Sequence, residues 1–502
     1  MKKTKKIFGA VATVTIFGIF TRLLSFIFKI YLSRALGAEA LGLYQIALSV
    51  FFLFASFSAT GIPLVLSRKT AENDALGKKN DFSLLNSAMV MGICISLSLV
   101  FILGLLKNHL GFLFSDPMAH PLFLIMLPAL LSTSMYSIVR GFFWGKKAFT
   151  AFSVTETIEE VFRIVFSVVF ISGAIAGLSG AYAIAFAFTA SDMLIAIVLL
   201  SIFFAKGGRL EKPKDFKKIF LPSLPVTAMR ALSCLLGTLI AIILPIRLLS
   251  FGMTPAEATA SFGRIAGMAN PLILAPNALI GSMAIVLIPE MSANGIKKEY
   301  HKLNRHLNNG LNFSFLICGL FMVIYIALGR EITTLLYNDS ISGMYLEYAA
   351  YLMLPMGLSQ LTQSALNSLG KEKRAFINYV AGNILMVILI YFLPKYIGIY
   401  SVAAATMVSL ITTSILNVYS LRQYTDFDFG FIKRFITILL YVFPSAFFAE
   451  SLASLIGEKL YILGILIGSL CGVGMYALLC FATEVVDIKG FLVLKKQNHA
   501  IS

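Results

Sequence analysis

The sequence predicts an all-α polytopic membrane protein with about fourteen transmembrane helices. Of its 502 residues, 58% are hydrophobic and only 13% are charged, and the mean hydropathy is +0.87. A water-soluble chain of this length carries far more polar surface. Apolar runs of spanning length recur along the whole chain and are separated by short polar loops. Together these observations predict that a bilayer surrounds most of the protein.

The apolar runs predict where each transmembrane helix lies. We expect spans at residues 7–32, 41–66, 83–106, 121–144, 150–171, 179–205, 218–246, 265–289, 308–328, 344–369, 376–394, 397–420, 435–455 and 460–483. The first run follows the basic segment MKKTKK and contains Arg22 and Lys29. A cleaved signal peptide has an uncharged centre, so we predict an uncleaved first helix.

Basic residues predict the orientation of these spans. With the N-terminus inside, the inner loops and termini hold 29 Lys and Arg residues, and the outer loops hold 7. Short loops rich in Lys and Arg stay in the cytoplasm. We therefore expect both termini on the cytoplasmic side. The net charge of +17 is spread over these loops. Nucleic-acid binding is excluded, because it requires a clustered basic face.

The chain has no sequence features of an enzyme or a metalloprotein. No loop exceeds about 20 residues, which leaves no room for a catalytic domain. Asp426 and Asp428 imitate a metal-binding D-x-D motif, but they lie in a short loop and are interpreted as a solvated turn. All five cysteines lie in apolar runs without metal-ligand spacing, and we expect small buried hydrophobic residues.

Two similar passages predict an internal repeat. Residues 140–149 read RGFFWGKKAF and residues 367–376 read NSLGKEKRAF, each at the end of an even-numbered span. Six spans per repeat give both halves the same orientation, as in transporters that bind substrate between two lobes. We predict a first lobe at 1–217, a second lobe at 218–421, and two appended spans with a cytoplasmic tail at 422–502.

Basic residues within or beside the spans predict a site for an anionic group. An ionisable side chain at membrane depth costs roughly 2.5 to 3.5 kcal/mol and usually faces a cavity or a partner. A site for organic cations would need Asp or Glu there, whereas the guanidinium group suits phosphate. An alternative for Lys29, Arg34 and Arg264 is extension to the outer interface. The candidate substrate-binding residues are Arg22, Lys29, Arg34, Arg230 and Arg264.

The fifth span contains a second group of charged residues. Glu156, Glu159, Glu160 and Arg163 occur within eight positions, and Glu159 and Arg163 have the i, i+4 spacing of a helical ion pair. One interpretation is a self-neutralising structural network. The other is a site that couples transport to an ion or a proton, because surplus carboxylates titrate. Both interpretations remain open at this point.

Three segments carry a family resemblance. The segments are TRLLSFIFKIYLSRALGAEALGLYQIALSVFFLF (21–54), GIPLVLSRKTAE (61–72) and SIVRGFFWGKKAFTAFSVTETIEEVFRI (137–164). They resemble the stage V sporulation protein B and polysaccharide-exporter branch of the multidrug/oligosaccharidyl-lipid/polysaccharide superfamily, which also contains the lipid II flippases. The resemblance extends over essentially the whole chain.

The resemblance implies a function and some site residues. It implies that alternating access carries an undecaprenyl-pyrophosphate-linked sugar from the inner to the outer leaflet of a bacterial plasma membrane. Arg22 and Arg264 match arginines that meet the pyrophosphate in the lipid II flippases, whereas Gly267 stands where those proteins carry a glutamate. Asn378 and Asn383 are the nearest polar candidates for a coupling-ion site. The helices at 435–483 would form a groove for the lipid tail.

The sequence therefore predicts a flippase or exporter of a lipid II-like molecule or a polysaccharide repeat unit. The alternative is an ion-coupled exporter of cationic drugs with the same fold. The expected partners are a polyprenyl-pyrophosphate-linked glycan and the bilayer, with the protein acting as a monomer. No cofactor is expected, and Na⁺ and H⁺ are the candidate coupling ions.

Overall fold

Helices form all the regular structure in the described part of the chain. A computed structural model describes residues 2–76, 82–173, 180–425, 427, 430–457 and 460–483. The predicted all-α fold is confirmed. The chain divides into two compact units, Met1–Gly263 and Arg264–Ser502, which are described separately.

In its described residues, the first unit contains nine α-helices. They are α1 (Lys2–Ser58), α2 (Gly61–Ala75), α3 (Ser83–Leu105), α4 (Ala119–Met126), α5 (Ala129–Gly145), α6 (Phe149–Ile171), α7 (Ala181–Ala205), α8 (Phe216–Leu249) and α9 (Pro255–Gly263). Its core includes the rings of Phe82, Phe142 and Phe203, which pack edge-on or tilted against one another. Helix α6 packs on α1 and α7, and α8 packs on α1 and α2.

The second unit opens with one turn of π-helix, Arg264–Ala269. Its α-helices are α10 (Asn270–Ile273), α11 (Ala275–Ile296), α12 (Tyr300–Tyr337), α13 (Ser340–Ala349), α14 (Met353–Ser368), α15 (Glu372–Phe392), α16 (Pro394–Ile397), α17 (Tyr400–Arg422), α18 (Gly430–Gly457) and α19 (Tyr461–Ala482). Helices α18 and α19 pack on each other and on α12. Arg434 of α18 donates hydrogen bonds to the side-chain oxygens of Asn308 and Asn312 on α12.

The predicted spans all fall on helical segments, but some helices are merged or broken. Among the described residues, nine helices are long and apolar enough to cross a membrane, or ten if the α4–α5 pair, bent by 48°, forms one span. Helix α1 carries the first predicted span and the start of the second, separated only by a break at Gly37 (φ 76°, ψ 177°). This backbone conformation favours glycine because it lacks a Cβ atom.

The compact units and the predicted lobes divide the chain differently. Residues 218–263, assigned from sequence to the second lobe, belong to the first compact unit, because α8 and α9 pack on α1. The two compact units are defined by which residues lie close together, so they do not test the predicted repeat. The predicted lobe boundaries after residues 217 and 421 stay predictions.

The two similar passages adopt a similar turn. Lys147 (φ 58°) follows α5 and Gly370 (φ 70°) follows α14, both in the left-handed region. In each turn the next amide donates to the carbonyl oxygen five residues earlier. Helix α7 ends in the same turn at Gly207. This turn is common at the C-termini of helices and is therefore not specific to the two similar passages. The internal repeat therefore stays a prediction.

Glycine allows α1 and α9 to approach closely. A Cβ atom on Gly42 would overlap the carbonyl oxygen of Thr259, and one on Gly263 would overlap that of Ala38. The Thr259 hydroxyl donates a 2.8 Å hydrogen bond to Asp116 Oδ2, which also holds α9 in place. The contact leaves no space for a methyl group.

Replacing Gly42 by Ala should lower the thermal stability of the purified protein. The added methyl group meets backbone atoms of α9, which cannot move aside as a flexible side chain would. Overpacking of this kind costs about 1 to 3 kcal/mol. The matched control is Gly18→Ala in the same helix, where a Cβ meets nothing within 4 Å. Equal melting temperatures for the two variants in detergent would contradict the prediction.

Candidate functional site

The charged residues of α6 form an ion-pair network. Arg163 donates from Nη2 to Glu159 Oε1 at 2.6 Å and from Nη1 to Glu160 Oε2 at 3.2 Å. Its Nη2 atom also lies 3.5 Å from Oδ1 of Asp192 on α7. The i, i+4 pair expected from the sequence is thus present. Arg163 also joins α6 to α7 through a third carboxylate.

Other side chains extend this network. The Thr133 hydroxyl of α5 donates to Asp192 Oδ2. Glu160 is buried, and its charge also acts on Lys29 of α1. Lys29, predicted as a substrate-binding residue, thus lies within electrostatic range of a residue of the predicted coupling group. We call Glu159, Glu160, Arg163 and Asp192 the acidic network.

A second ion pair lies nearer the start of α6. Arg140 Nη2 lies 2.8 Å from Glu156 Oε2, and the guanidinium carbon of Arg140 lies 3.9 Å from the ring centre of Phe152. Glu156 is therefore paired with Arg140, whereas the other three carboxylates surround Arg163, and its coupling role stays a prediction. The pair fixes α5 against α6.

The acidic network has more acidic than basic groups. Three carboxylates surround Arg163, and Lys29 interacts electrostatically with one of them, Glu160, so full ionisation of these five groups leaves a formal charge of −1. An unbalanced charge among apolar helices is costly and favours uptake of a cation. Within the described residues, no three acidic, histidine or cysteine side chains converge as a metal site. The unbalanced charge is suited to holding a proton or another small cation.

Two predicted binding residues, Arg22 and Arg230, are exposed at similar depth. Arg22 lies about 22 Å along α1 from residue 7, where its predicted span begins, and Arg230 lies about 21 Å along α8 from Phe216. In the described part of the chain, no ion pair or hydrogen bond involves either guanidinium group. Arg34 is also exposed on α1, just before the break at Gly37.

Arg264 differs from Arg22 and Arg230 because Asp339 neutralises its charge. Its Nε atom donates a 2.8 Å hydrogen bond to Asp339 Oδ2, and the two side chains are 21% and 14% exposed. An acidic partner for Arg264 was not predicted from the sequence. Its role in binding substrate stays a prediction.

The two asparagine candidates lie in different environments. Asn378 is buried on α15, where its amide donates to Asn417 Oδ1 at 2.9 Å and to Ser420 Oγ at 3.2 Å. Asn383 donates only to the Tyr379 carbonyl oxygen of its own helix among the described contacts, at 2.8 Å. Asn378 thus belongs to a polar contact between α15 and α17. A coupling role for either residue stays a prediction.

Sequence reasoning missed two acidic residues, Asp192 and Asp339. Asp192 is the only charged residue of α7, and an ionisable residue in an apolar span is a signal that could have identified it. Asp339 lies in a loop before α13 and has the appearance of an ordinary helix cap. Asp426, Asp428 and the basic tail after residue 483 lie outside the described residues.

Sequence profiles and curated relatives agree on the family. The profile of the family "Polysaccharide biosynthesis protein" matches residues 9–295, more than half of the chain, and that of the MatE family matches residues 246–392. Stage V sporulation protein B of Bacillus subtilis (strain 168) is 24% identical over 427 residues, covering 80% of each chain. Lipid II flippase MurJ of the same organism is 22% identical over 459 residues, covering 84% of this chain and 83% of that protein.

Solved structures share the fold. Lipid II flippase MurJ in an inward closed conformation superposes with a TM-score of 0.74 at 18% identity, over 94% of this chain and 99% of that chain. An inward-facing multidrug resistance MATE transporter superposes with a TM-score of 0.69 at 13% identity, over 83% and 98%. These relatives are transporters and flippases. The chain belongs to the polysaccharide biosynthesis protein family, in the flippase branch of the multidrug/oligosaccharidyl-lipid/polysaccharide superfamily, and is a multi-pass membrane transporter and not an enzyme.

Proposed function

We propose that this protein carries a polyprenyl-pyrophosphate-linked sugar from the inner to the outer leaflet of a bacterial plasma membrane. The substrate is a lipid II-like molecule or a polysaccharide repeat unit. The protein acts as a monomer with both termini in the cytoplasm. Two relatives support this substrate class. Lipid II flippase MurJ matches 84% of the chain, and stage V sporulation protein B matches 80%.

Arg22 and Arg230 are the observation that carries the proposal. Each places a permanent positive charge at membrane depth, and each is exposed without a carboxylate partner among the described residues. Such a group is stable only if water or an anion reaches it. A pyrophosphate offers several oxygens to the planar guanidinium group, so it fits the charge and the geometry.

Membrane potential supplies a driving force for an anionic headgroup. With the inside negative, outward movement of one negative charge gains roughly 2.3 kcal/mol per 100 mV. Export of a pyrophosphate-linked sugar therefore requires no nucleotide hydrolysis.

Reconstituted vesicles test the proposed function. Purified protein is placed in vesicles that contain lipid II or another undecaprenyl-pyrophosphate-linked sugar, and an impermeant enzyme reports the sugar in the accessible leaflet. We expect protein-dependent acceleration of exchange between leaflets for at least one such lipid. The proposal would be excluded if the protein accelerated leaflet exchange of no pyrophosphate-linked lipid. In that case, another transport reaction in the same vesicles must show that the protein is active.

The acidic network supports a second candidate, an exporter of organic cations. Asp192 and the two α6 glutamates place a formal negative charge where an organic cation could be held, and part of the chain matches the MatE family. Uptake of ethidium into vesicles in exchange for protons, driven by an imposed proton gradient, tests this candidate. Ethidium transport without movement of pyrophosphate-linked lipids would establish it in place of the first.

We also propose that the acidic network couples transport to protons. If Arg163, Lys29 and the three carboxylates are all charged, one negative charge remains, and one bound proton balances it. Loss of that proton changes the attraction between α6 and Lys29 of α1. Proton binding is thereby linked to a helix that also carries Arg22.

Replacing Glu160 by Gln should remove the dependence of transport on a proton gradient. The amide keeps the size of the side chain but fixes it in a neutral state. The rate with and without an imposed gradient should then differ by less than about twofold. The control is Glu299→Gln, an exposed partner of Lys302 at 3.0 Å, which should keep the wild-type dependence. Unchanged coupling with a lowered melting temperature in Glu160→Gln would instead assign the network a structural role.

A further inference from the structure

We propose that Asp339 is the counter-ion that Arg264 exchanges for the phosphate groups of the substrate. Asp339 thereby limits the affinity of the loaded state and speeds release. This inference rests on the proposed function, because it requires a substrate with an anionic headgroup. From the sequence alone, Asp339 is recognised only as a helix cap.

Asp339 is held in place independently of Arg264. Its Oδ1 atom accepts a 2.7 Å hydrogen bond from the Ser342 amide, and the Ser342 hydroxyl donates to the Asp339 carbonyl oxygen at 2.9 Å. These bonds cap α13, whose N-terminal dipole also favours a negative charge. The carboxylate is therefore a fixed acceptor, and its second oxygen remains for Arg264.

The Arg264 guanidinium group is only partly used by this contact. Asp339 accepts from Nε at 2.8 Å, and in the described part of the chain no other hydrogen bond of that guanidinium occurs. Guanidinium carries five N–H donors. Its Nη1 and Nη2 atoms thus keep the planar edge that binds phosphate in a two-point contact.

The backbone around Arg264 favours a change of partner. Arg264 begins the π-helical turn Arg264–Ala269, which packs on α13. Single π-helical turns are rare and occur mainly at functional sites, because they shift the side-chain register of the helix. The ion pair therefore joins a fixed carboxylate on α13 to an arginine on an irregular turn.

The charge balance around Arg264 explains how exchange between Asp339 and the phosphate groups affects binding and release. A largely buried arginine without a counter-ion would bind a pyrophosphate tightly and hold it. A carboxylate that takes the place of the departing phosphate neutralises the arginine again and reduces the cost of release. Asp339 is thus a positioning residue that acts through Arg264, and it is expected to raise turnover at the expense of affinity.

Binding and turnover of an Asp339→Asn variant test this role. Asparagine keeps the helix cap, so α13 should fold normally while Arg264 loses its counter-ion. Using the full-length protein, we expect farnesyl pyrophosphate and inorganic pyrophosphate to bind about tenfold more tightly than to wild type. The flipping assay should show a lower KM together with a lower kcat. A purely structural ion pair would instead leave affinity unchanged or weaken it, and that result would overturn the proposal.

Two further variants make the test specific. Glu347→Gln breaks another ion pair of the same unit, with Arg330 at 3.0 Å, and should leave pyrophosphate affinity unchanged. Adding Arg264→Gln to Asp339→Asn should abolish the gain in affinity. A gain that persists in the double variant, or that Glu347→Gln reproduces, would overturn the exchange role.

The outcomes also separate this inference from the proposed function. If wild type binds pyrophosphate and flips the lipid but Asp339→Asn behaves identically, only the exchange role fails. If neither protein binds pyrophosphate and both transport ethidium, the substrate class and the exchange role fail together.

Discussion

Replacing Arg22 by Ala should abolish flipping while the protein still inserts and folds. The guanidinium group is exposed and has no partner among the described residues, so its removal breaks no ion pair there. Removing a two-point phosphate contact in a water-poor site should lower the rate by at least about 100-fold. The measurement is the rate of leaflet exchange in vesicles, with melting temperature as the check on folding.

Two controls accompany the Arg22 variant. Arg22→Lys keeps the positive charge but loses the planar donor pair, and should retain part of the activity. Lys107→Gln removes an exposed positive charge outside the predicted spans and should flip at the wild-type rate. Full activity in Arg22→Ala would remove this residue from the substrate site. Equal losses in Arg22→Ala and Lys107→Gln, with activity retained in Arg22→Lys, would indicate a general effect of charge.

Replacing Arg163 by Ala should produce the largest loss of stability. Glu159, Glu160 and Asp192 would then remain as neighbouring carboxylates without their shared counter-ion. Breaking one partner of a buried ion pair costs about 3 to 5 kcal/mol, because an uncompensated charge is left among apolar groups. We expect a much lower melting temperature and a reduced yield of folded protein.

An exposed ion pair provides the matched control for Arg163. Arg68 and Glu72 have the same i, i+4 spacing at 3.1 Å, but their side chains are 81% and 41% exposed. Such pairs contribute about 0 to 1 kcal/mol, so Arg68→Ala should melt close to wild type. A further variant, Arg163→Ala with Glu159→Gln and Asp192→Asn, should recover part of the stability. Failure to recover, or wild-type stability of Arg163→Ala alone, would contradict the ion-pair account.

Several features of the site could be predicted from local patterns in the sequence. The Glu159–Arg163 contact followed from helical spacing, because residues four apart lie on the same face of a helix. The positions of Arg22 and Arg230 along their helices also followed from the rise per residue, whereas their depth in the membrane stays a prediction. Asp192 could have been identified by the same argument, since it is alone in an apolar helix.

Other features could not be predicted because they depend on residues far apart in the chain. Asp339 lies 75 positions from Arg264, and no local periodicity relates the two. Lys29 and Glu160 lie on different helices, and only the packing of α1 on α6 brings their charges together. The close approach of α1 and α9 depends likewise on where each backbone runs, although Gly42 and Gly263 are visible in the sequence.

The sequence by itself determined that this chain is a helical, multi-pass membrane protein. That outcome depends on composition and on the length of apolar runs, which act through the solvent and require no knowledge of contacts. Only the tertiary structure decided which charges are compensated, because electrostatic energy falls with distance and distant segments set those distances. It therefore separated Arg264, which is paired with Asp339, from Arg22 and Arg230, which are exposed and have no carboxylate partner among the described residues.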